Sequence, residues 1–253
     1  MKRLVLKFGG TSVGSIEKIK NVANIIKEEF SKGREIIVIV SAMSGVTNDL
    51  KKKSNLISKN FDDKELDVLL SSGEQVSCSL LAGALIDLGL KARSWLGWQI
   101  PIVTNINYNS SQILKIKTEE VSKFISNQGV AVIAGFQGIS FENRITTLGR
   151  GGSDLSAVAL AKFFKADSCE IFTDVDGVLT TDPLINNKAK KIDKISYEEM
   201  LEMASLGAKV MQPSAVQASM IDDILSTLEK YCIEESIEDL VLINTPMIYY
   251  KKR

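Results

Sequence analysis

The chain has 253 residues, of which 45% are hydrophobic and 25% charged, as in an ordinary globular protein. Basic and acidic side chains each number 31, so no excess of charge indicates a nucleic acid or an acidic membrane surface as partner. Histidine is absent, which excludes a Ser-His-Asp or Cys-His nucleophile and any histidine-ligated metal. The three scattered cysteines form no metal-ligand cluster, and no apolar run approaches the ~18 residues of a membrane span. We therefore expect a cytoplasmic protein without a metal site of its own.

Short apolar runs alternate with amphipathic stretches along the chain. The runs predict strands at Arg3–Leu6, Ile36–Val40, Ile100–Thr104, Val130–Ala134, Glu170–Phe172 and Leu240–Ile243. Apolar residues at helical spacing predict helices over 16–30 and 81–88, and the pair Ser196 and Glu199 predicts a capping box that starts another. Because the runs are apolar on both faces, we expect a buried parallel sheet in an α/β fold.

Two glycines, Gly9 and Gly10, follow the first predicted strand. Paired glycines let backbone N–H groups approach a ligand closely. The spacing matches neither a Walker A motif nor G-x-G-x-x-G, and a Gly-Gly pair alone is more typical of a tight turn. The adjacent Lys7 favours a ligand site, because a lysine at the carboxyl end of a strand points into the ligand crevice of an open α/β sheet.

A second glycine loop, Gly149–Asp154, precedes an apolar helical run. The planar fork of Arg150 matches a carboxylate, and Gly151 and Gly152 offer backbone amides. Asp154 is suited to positioning lysines or a Mg²⁺–nucleotide. One loop with a lysine and another with an arginine and an aspartate together predict a site that moves a phosphoryl group.

Other polar segments remain ambiguous when taken singly. The hydroxyls of Ser41–Asn48 suit a small polar substrate or a helix cap equally well. Glu74 fits the first turn of a helix better than a contact with a substrate ammonium. The segment Thr173–Gly177 predicts a turn, either plain or beside a nucleotide, and its spacing does not fit calcium. Lys209 alone is typical of a surface residue.

Seven motifs in this order resemble the aspartate kinases of the amino-acid-kinase superfamily, from residue 1 to about 216. The motifs are Lys7–Val13, Ser41–Asn48, Ser72–Glu74, Gly135–Gly138, Thr147–Asp154, Thr173–Gly177 and Met203–Val210. The resemblance implies a three-layer αβα sandwich with an open, mostly parallel central sheet. It also implies one catalytic domain over 1–253, with a substrate-side lobe over about 1–145 and a nucleotide-side lobe over about 146–253.

The implied activity is phosphorylation of the side-chain carboxylate of L-aspartate by ATP and Mg²⁺, giving 4-phospho-L-aspartate for lysine, threonine, methionine or diaminopimelate synthesis. The resemblance assigns catalytic roles to Lys7, Asp154 and Lys209. It assigns the amino-acid pocket to Ser41, Thr47, Glu74, Phe136, Arg150 and Ser153. It assigns nucleotide contacts to Lys7, Gly9, Gly10, Gly151, Gly152, Thr173, Asp174, Lys209 and Val210. A carboxylate is already an anion at neutral pH, so the reaction needs no strong base.

The chain departs from the family pattern in three places. Leu179 replaces a usual aromatic residue and Leu184 a basic one, and loss of a fully made phosphate contact costs about 1.5–3 kcal/mol, so we expect weaker ATP binding. The chain stops at Arg253, where relatives continue into regulatory ACT domains, so we expect no feedback inhibition through them. We expect a frayed, solvated end at 249–253.

Two alternatives remain open: a non-catalytic nucleotide-binding domain, and a kinase of the same superfamily acting on another small carboxylate. A homodimer is an open expectation. The partners implied are small molecules, L-aspartate and ATP, with no nucleic acid and no membrane.

Overall fold

The computed structural model describes residues 2–173, 177–182, 185–192, 195–206, 216 and 247–252. The helices within these ranges are α1 (Ile16–Ser31), α2 (Val46–Ile57), α3 (Asp63–Asp87), α4 (Glu119–Ser126), α5 (Gly152–Phe163) and α6 (Tyr197–Ser205). The strands are β1 (Arg3–Phe8), β2 (Glu35–Val40), β3 (Ala92–Trp95), β4 (Ile102–Thr104), β5 (Ile113–Ile116), β6 (Val130–Ala134), β7 (Gln137–Ser140), β8 (Ile145–Thr147), β9 (Ser168–Thr173) and β10 (Met247–Lys252).

The main sheet of the described chain has six strands in the order β10-β9-β1-β2-β6-β3, and every neighbouring pair is parallel. This confirms the predicted α/β fold with a mostly parallel sheet. The predicted strand at 100–104 is shorter and lies elsewhere: β4 pairs parallel with β7 and antiparallel with β5 in a separate sheet ordered β5-β4-β7-β8. The strand predicted at 240–243 lies outside the described residues.

The central strands are buried on both faces, which gives the molecule three layers. On β1, Leu4, Leu6 and Phe8 face one side and pack with α1 and α3, while Val5 faces the other side. That second side is covered by α4, α5 and α6. The alternation explains the continuous apolar runs in the sequence, because both sets of side chains lose contact with water.

Residues 249–252 are not the frayed segment that the sequence predicts for 249–253, and Arg253 lies outside the described residues. Residues 247–252 form β10, an edge strand that pairs with β9 in register from Met247 opposite Ser168 to Lys252 opposite Thr173. The prediction was wrong because it weighed the basic last residues above the β-prone Ile-Tyr-Tyr that precedes them.

Helix α3 is the longest helix of the described chain, at 25 residues. Among the described helices it alone has the length and mean hydropathy of a membrane span, and half of its most apolar window is buried inside the protein. Its cap is Asp62, whose carboxylate accepts from the backbone N–H groups of Lys64 and Glu65 at 2.9 and 3.2 Å. Two of its acidic residues, Asp67 and Glu74, face inward and are buried. Glu74 lines the cavity described next, and Asp67 accepts hydrogen bonds from a segment that leads to it.

Candidate active site

A cavity of about 260 Å³ opens where the loops after β1, β2 and β6 meet. This is the carboxyl edge of three adjacent parallel strands, the usual ligand position in open α/β sheets. Most of the predicted site residues line it: Lys7, Ser41, Thr47, Glu74, Phe136, Arg150, Gly151, Gly152, Ser153 and Asp154. Ala42 and Gly149, which belong to the predicted motifs but were assigned no role of their own, line it as well.

Lys7 and Asp154 form an ion pair on one side of the cavity. Nζ of Lys7 lies 2.6 Å from Oδ1 of Asp154, and the two side chains are 11% and 15% exposed. Lys7 comes from β1 and Asp154 from the first turn of α5. The pair therefore fixes an ammonium group beside the start of a helix.

The glycine loop before α5 leaves the start of that helix open. Gly149 and Gly151 adopt positive φ values of 74° and 73°, a conformation that other residues rarely take. Gly151 is the N-cap and makes no side-chain capping hydrogen bond. Two of the first N–H groups are used locally, since Gly152 N–H donates to Gly149 C=O and Asp154 N–H to Gly151 C=O, each at 3.0 Å. The positive end of the helix dipole beside Lys7 suits an anion.

Gly9 and Gly10 do not line the cavity but pack against residues that do. A Cβ on Gly9 would lie 3.5 Å from Nζ of Lys7. A Cβ on Gly10 would lie 2.7 Å from the carbonyl oxygen of Ala42, too close for any side chain. The glycine pair thus brings the loop after β1 against the loop after β2, where Ser44 N–H donates to Gly10 C=O at 3.2 Å.

Glu74 of α3 also lines the cavity and is 3% exposed. Its Oε1 accepts from the Ala42 N–H at 3.0 Å, and within the described chain its buried Oε2 has no hydrogen-bond partner. Burial raises the pKa of Glu74 to about 7. A buried carboxylate oxygen without a partner is costly unless a ligand completes it, and a cation does so best.

The capping interpretation of Glu74 taken singly was wrong, and of the two alternatives left open for 41–48 the cap is not the one observed. Glu74 lies in the middle of α3, where no first-turn N–H is free to meet it. Helix α2 is capped by Gly45, with φ of 87° and no side-chain hydrogen bond, so the hydroxyls of 41–48 are not used there. Thr47 and Ser41 instead line the cavity, and Ser77 Oγ donates to the carbonyl of Ser41 at 2.6 Å.

Phe136 closes the cavity from β6 in an unusual conformation. Its φ is 67°, which costs energy for a bulky residue. The conformation is held by its N–H, which donates to Ser156 Oγ at 2.9 Å, while that hydroxyl donates to Gly152 C=O at 2.8 Å. The strained residue is therefore fixed to the first turn of α5.

The sequence analysis did not identify Asp67, which lies on the inner face of α3 and is fully buried. Its carboxylate accepts from the Thr147 N–H at 2.8 Å, the Thr147 hydroxyl at 2.5 Å and the Asn109 N–H at 3.1 Å. Burial raises its pKa, while these hydrogen bonds oppose the shift. The one signal in the sequence is the spacing of seven residues to Glu74, which places both on one face of a helix.

Some predicted positions are not placed by the structure. Asp174, Leu184, Lys209 and Val210 lie outside the described residues. Thr173 ends β9, where its backbone pairs with β10. Leu179 is half-buried and forms an antiparallel bridge with Lys191.

The geometry of the cavity indicates the class of protein. An ion-paired lysine, an open helix start and glycine loops at the carboxyl edge of a parallel sheet are typical of α/β proteins that bind phosphorylated small molecules. The sequence profile of the amino acid kinase family matches residues 2–224. The chain belongs to the amino acid kinase family.

Individual relatives narrow the comparison. The chain is 50% identical to an aspartokinase of Bacillus sp. (strain MGA3) over 217 residues, covering 86% of this chain and 53% of that protein. It superposes on the crystal structure of aspartate kinase from Synechocystis with a TM-score of 0.77 and 45% identity, over 86% of this chain and 36% of that one. For E. coli aspartokinase III in complex with aspartate and ADP, the TM-score is 0.76 and the identity 27%, over 87% and 60%. The chain spans about half the length of the curated relatives it matches.

Proposed function

We propose that this protein is an aspartate kinase, which transfers the γ-phosphoryl group of ATP to the side-chain carboxylate of L-aspartate. One observation carries the proposal: a single cavity is lined both by the Lys7–Asp154 ion pair and by the buried carboxyl of Glu74. The similarity to aspartokinases supports the choice of substrate.

The amino acid binds on the side of Glu74 and Arg150. Oε2 of Glu74, which lacks a described partner, accepts from the substrate ammonium. The exposed guanidinium of Arg150 at the cavity mouth pairs with the α-carboxylate. Ser41, Thr47 and Ser153 add hydroxyl donors, and Phe136 closes the pocket. These contacts leave the substrate's side-chain carboxylate free to attack.

The nucleotide phosphates bind on the side of Lys7, at the open start of α5. Gly151 and Gly152 line this part of the cavity, and Gly9 and Gly10, which do not line it, shape the loop next to Lys7. Lys209 and Val210 of the later motif are further proposed contacts. Thr173, at the end of β9, and Asp174 of the same motif are the proposed contacts with the nucleoside. In this proposal the substrate-side lobe spans about 1–145 and the nucleotide-side lobe about 146–253.

Magnesium fits this site as a companion of the nucleotide. The described chain holds no group of three acidic or cysteine ligands able to bind a metal alone, and Asp154 is the carboxylate beside the proposed phosphate position. When bound, Mg²⁺ neutralises phosphate charge.

The protein contributes position and charge to the reaction. An oxygen of the substrate carboxylate forms the new bond to the γ-phosphorus as the bond to the bridging oxygen of ADP breaks, and ADP keeps that electron pair. Lys7 and the positive end of the α5 dipole stabilise the charge that develops on the transferring group. Asp154 holds Lys7 in place and takes no proton.

The test is trapping of the acyl phosphate with hydroxylamine. Wild-type protein with L-aspartate, ATP and Mg²⁺ is expected to give the hydroxamate, and Lys7→Ala is expected to form it about 10³-fold more slowly. Hydroxamate formed from another small carboxylate but not aspartate would overturn the choice of substrate. Thermal stabilisation by Mg-ATP without any turnover would instead establish a non-catalytic nucleotide-binding domain.

A further inference from the structure

We propose that Asp67 is a positioning residue that fixes the Arg150 loop relative to Glu74, and so sets the geometry of the amino-acid pocket. The assignment of that pocket rests on the proposed function. Asp67 itself does not line the cavity, so it acts through other residues.

The first step is the contact between α3 and the smaller sheet. Asp67 receives three donors from two segments, the loop at Asn109 and the end of β8 at Thr147. All three donors are neutral, and both Asp67 and Thr147 are fully buried. A carboxylate buried among neutral donors is tied to all of them, because losing any one leaves its charge less solvated.

The second step leads from these donors to Arg150. Thr147 is followed by Leu148 and then by Gly149, whose backbone packs so closely on the Asn109 loop that a Cβ would lie 3.0 Å from Asn109 C=O. Ser111 N–H also donates to Thr147 C=O at 2.9 Å. The loop that carries Arg150 therefore begins at Thr147. That residue is hydrogen-bonded both to Asp67 and to the Asn109 loop, and Asp67 also binds the Asn109 loop.

The third step leads from Asp67 to Glu74. The two residues lie two turns apart on the inner face of the same helix, a rise of about 10 Å. Between them, Ser71 C=O accepts from Gln137 Nε2 at 3.0 Å, which ties the same face to β7 next to Phe136. One rigid helix thus carries the proposed ammonium partner directly and holds the proposed carboxylate partner through Asp67.

The experiment compares Asp67→Asn with two threonine variants. Asp67→Asn keeps the size but presents an NH₂ group to N–H donors. Thr147→Val removes only the hydroxyl donor and serves as the milder variant if Asp67→Asn folds poorly. Thr104→Val is the matched control: it removes a buried 2.6 Å hydrogen bond to Thr146 in the same sheet, one residue from Thr147, without touching Asp67.

Two readouts are needed. Asp67→Asn is expected to raise the KM for L-aspartate about 10- to 100-fold, Thr147→Val less, with the KM for ATP nearly unchanged. Amide hydrogen exchange over 105–111 and 145–151 is expected to become about tenfold faster in Asp67→Asn. Thr104→Val is expected to change neither KM nor exchange at 149–151.

Each result is decisive. Equal rises in both KM values, or a rise in Thr104→Val as large as in Thr147→Val, would show general destabilisation and overturn the proposal. Unchanged exchange over 145–151 in Asp67→Asn would show that Asp67 does not hold the loop. If wild-type protein makes no hydroxamate, the proposed function fails, and hydrogen exchange alone then decides whether Asp67 fixes the Arg150 loop.

Discussion

Two carboxyl groups line the cavity, one in the proposed phosphate region and one in the proposed amino-acid region, and they have different partners. Asp154 is ion-paired with Lys7 at 2.6 Å before any ligand arrives. Glu74 is more deeply buried and has an N–H donor on only one of its described oxygens. The carboxylate of the proposed phosphate region therefore has its charged partner within the protein. The carboxylate of the proposed amino-acid region gains one only when a cation binds.

This difference separates two tasks. A lysine held by an aspartate is ready to stabilise charge that appears only during transfer, which affects kcat. A carboxylate without a charged partner stabilises the bound substrate, which affects KM. Substitutions on the two sides are therefore expected to alter different kinetic constants.

The largest expected effect is on the phosphate side. Lys7→Ala removes the ammonium beside the open start of α5, and kcat is expected to fall about 10³-fold while the KM for L-aspartate changes little. Steady-state kinetics with the hydroxamate assay measures both constants. Lys27→Ala is the control, because that exposed lysine donates to Leu88 C=O far from the cavity. A change confined to the KM for aspartate would contradict the division of tasks.

The next effect is on the amino-acid side. Glu74→Gln keeps an acceptor for the Ala42 N–H but loses the charge, so the KM for L-aspartate is expected to rise about 10- to 100-fold. The KM for ATP is expected to stay the same. Glu65→Gln is the matched control on the same helix, since Glu65 is 57% exposed and paired with Arg144. An unchanged aspartate KM would remove Glu74 from the pocket.

The same residue links binding to stability. Burial raises the pKa of folded Glu74 to about 7 from an ordinary value of 4.5. Between these values the folded protein retains a proton that the unfolded chain has lost, so Glu74 makes the free energy of unfolding fall as pH rises through this range. Relative to wild type, Glu74→Gln is expected to gain up to about 3 kcal/mol between pH 4.5 and pH 8 without ligand.

Urea unfolding of both proteins at the two pH values measures this gain. The aspartate affinity of wild type is expected to move in the opposite direction, strengthening as pH rises through about 7, because only the ionised carboxylate binds an ammonium well. Parallel pH profiles for wild type and Glu74→Gln would show that Glu74 does not titrate in this range.

The smallest effect concerns the backbone beneath Glu74. A Cβ on Gly73 would lie 2.8 Å from Ala42 Cβ and 3.3 Å from Val46 Cγ1, so Gly73→Ala is expected to cost about 1–3 kcal/mol of stability and to raise the aspartate KM. Gly83 on the same helix has open space, and Gly83→Ala is expected to stabilise by about 1 kcal/mol. Thermal unfolding of the two variants gives the comparison; equal shifts would show that Gly73 is not tightly packed.

The sequence predicts the central strands and most of the cavity lining for a physical reason. Strands such as 130–134 are buried on both faces, so their apolar runs are continuous and easy to recognise. Glycine loops such as 149–152 require conformations or contacts that few other residues allow, so they also leave a clear pattern.

Other features leave no such pattern. Asp67 was missed because an acidic residue in an amphipathic helix normally faces water, and only tertiary contacts show that it does not. The strands β5, β7 and β8 have three or four residues each, too short for a reliable period. β10 ends in basic residues that suggest solvent, and its pairing with β9 depends on a neighbour distant in sequence.

The order of strands has a consequence for how the chain reaches this structure. β1 is made first but lies between β2 and β9, and contacts such as Arg3 N–H to the Asp167 carboxylate join residues 164 positions apart. Until residues 168–173 emerge from the ribosome, one edge of β1 has no partner strand. Contacts of such long range slow folding, so we expect the nascent chain to hold an unpaired, apolar edge beside Lys7 until β9 has been made.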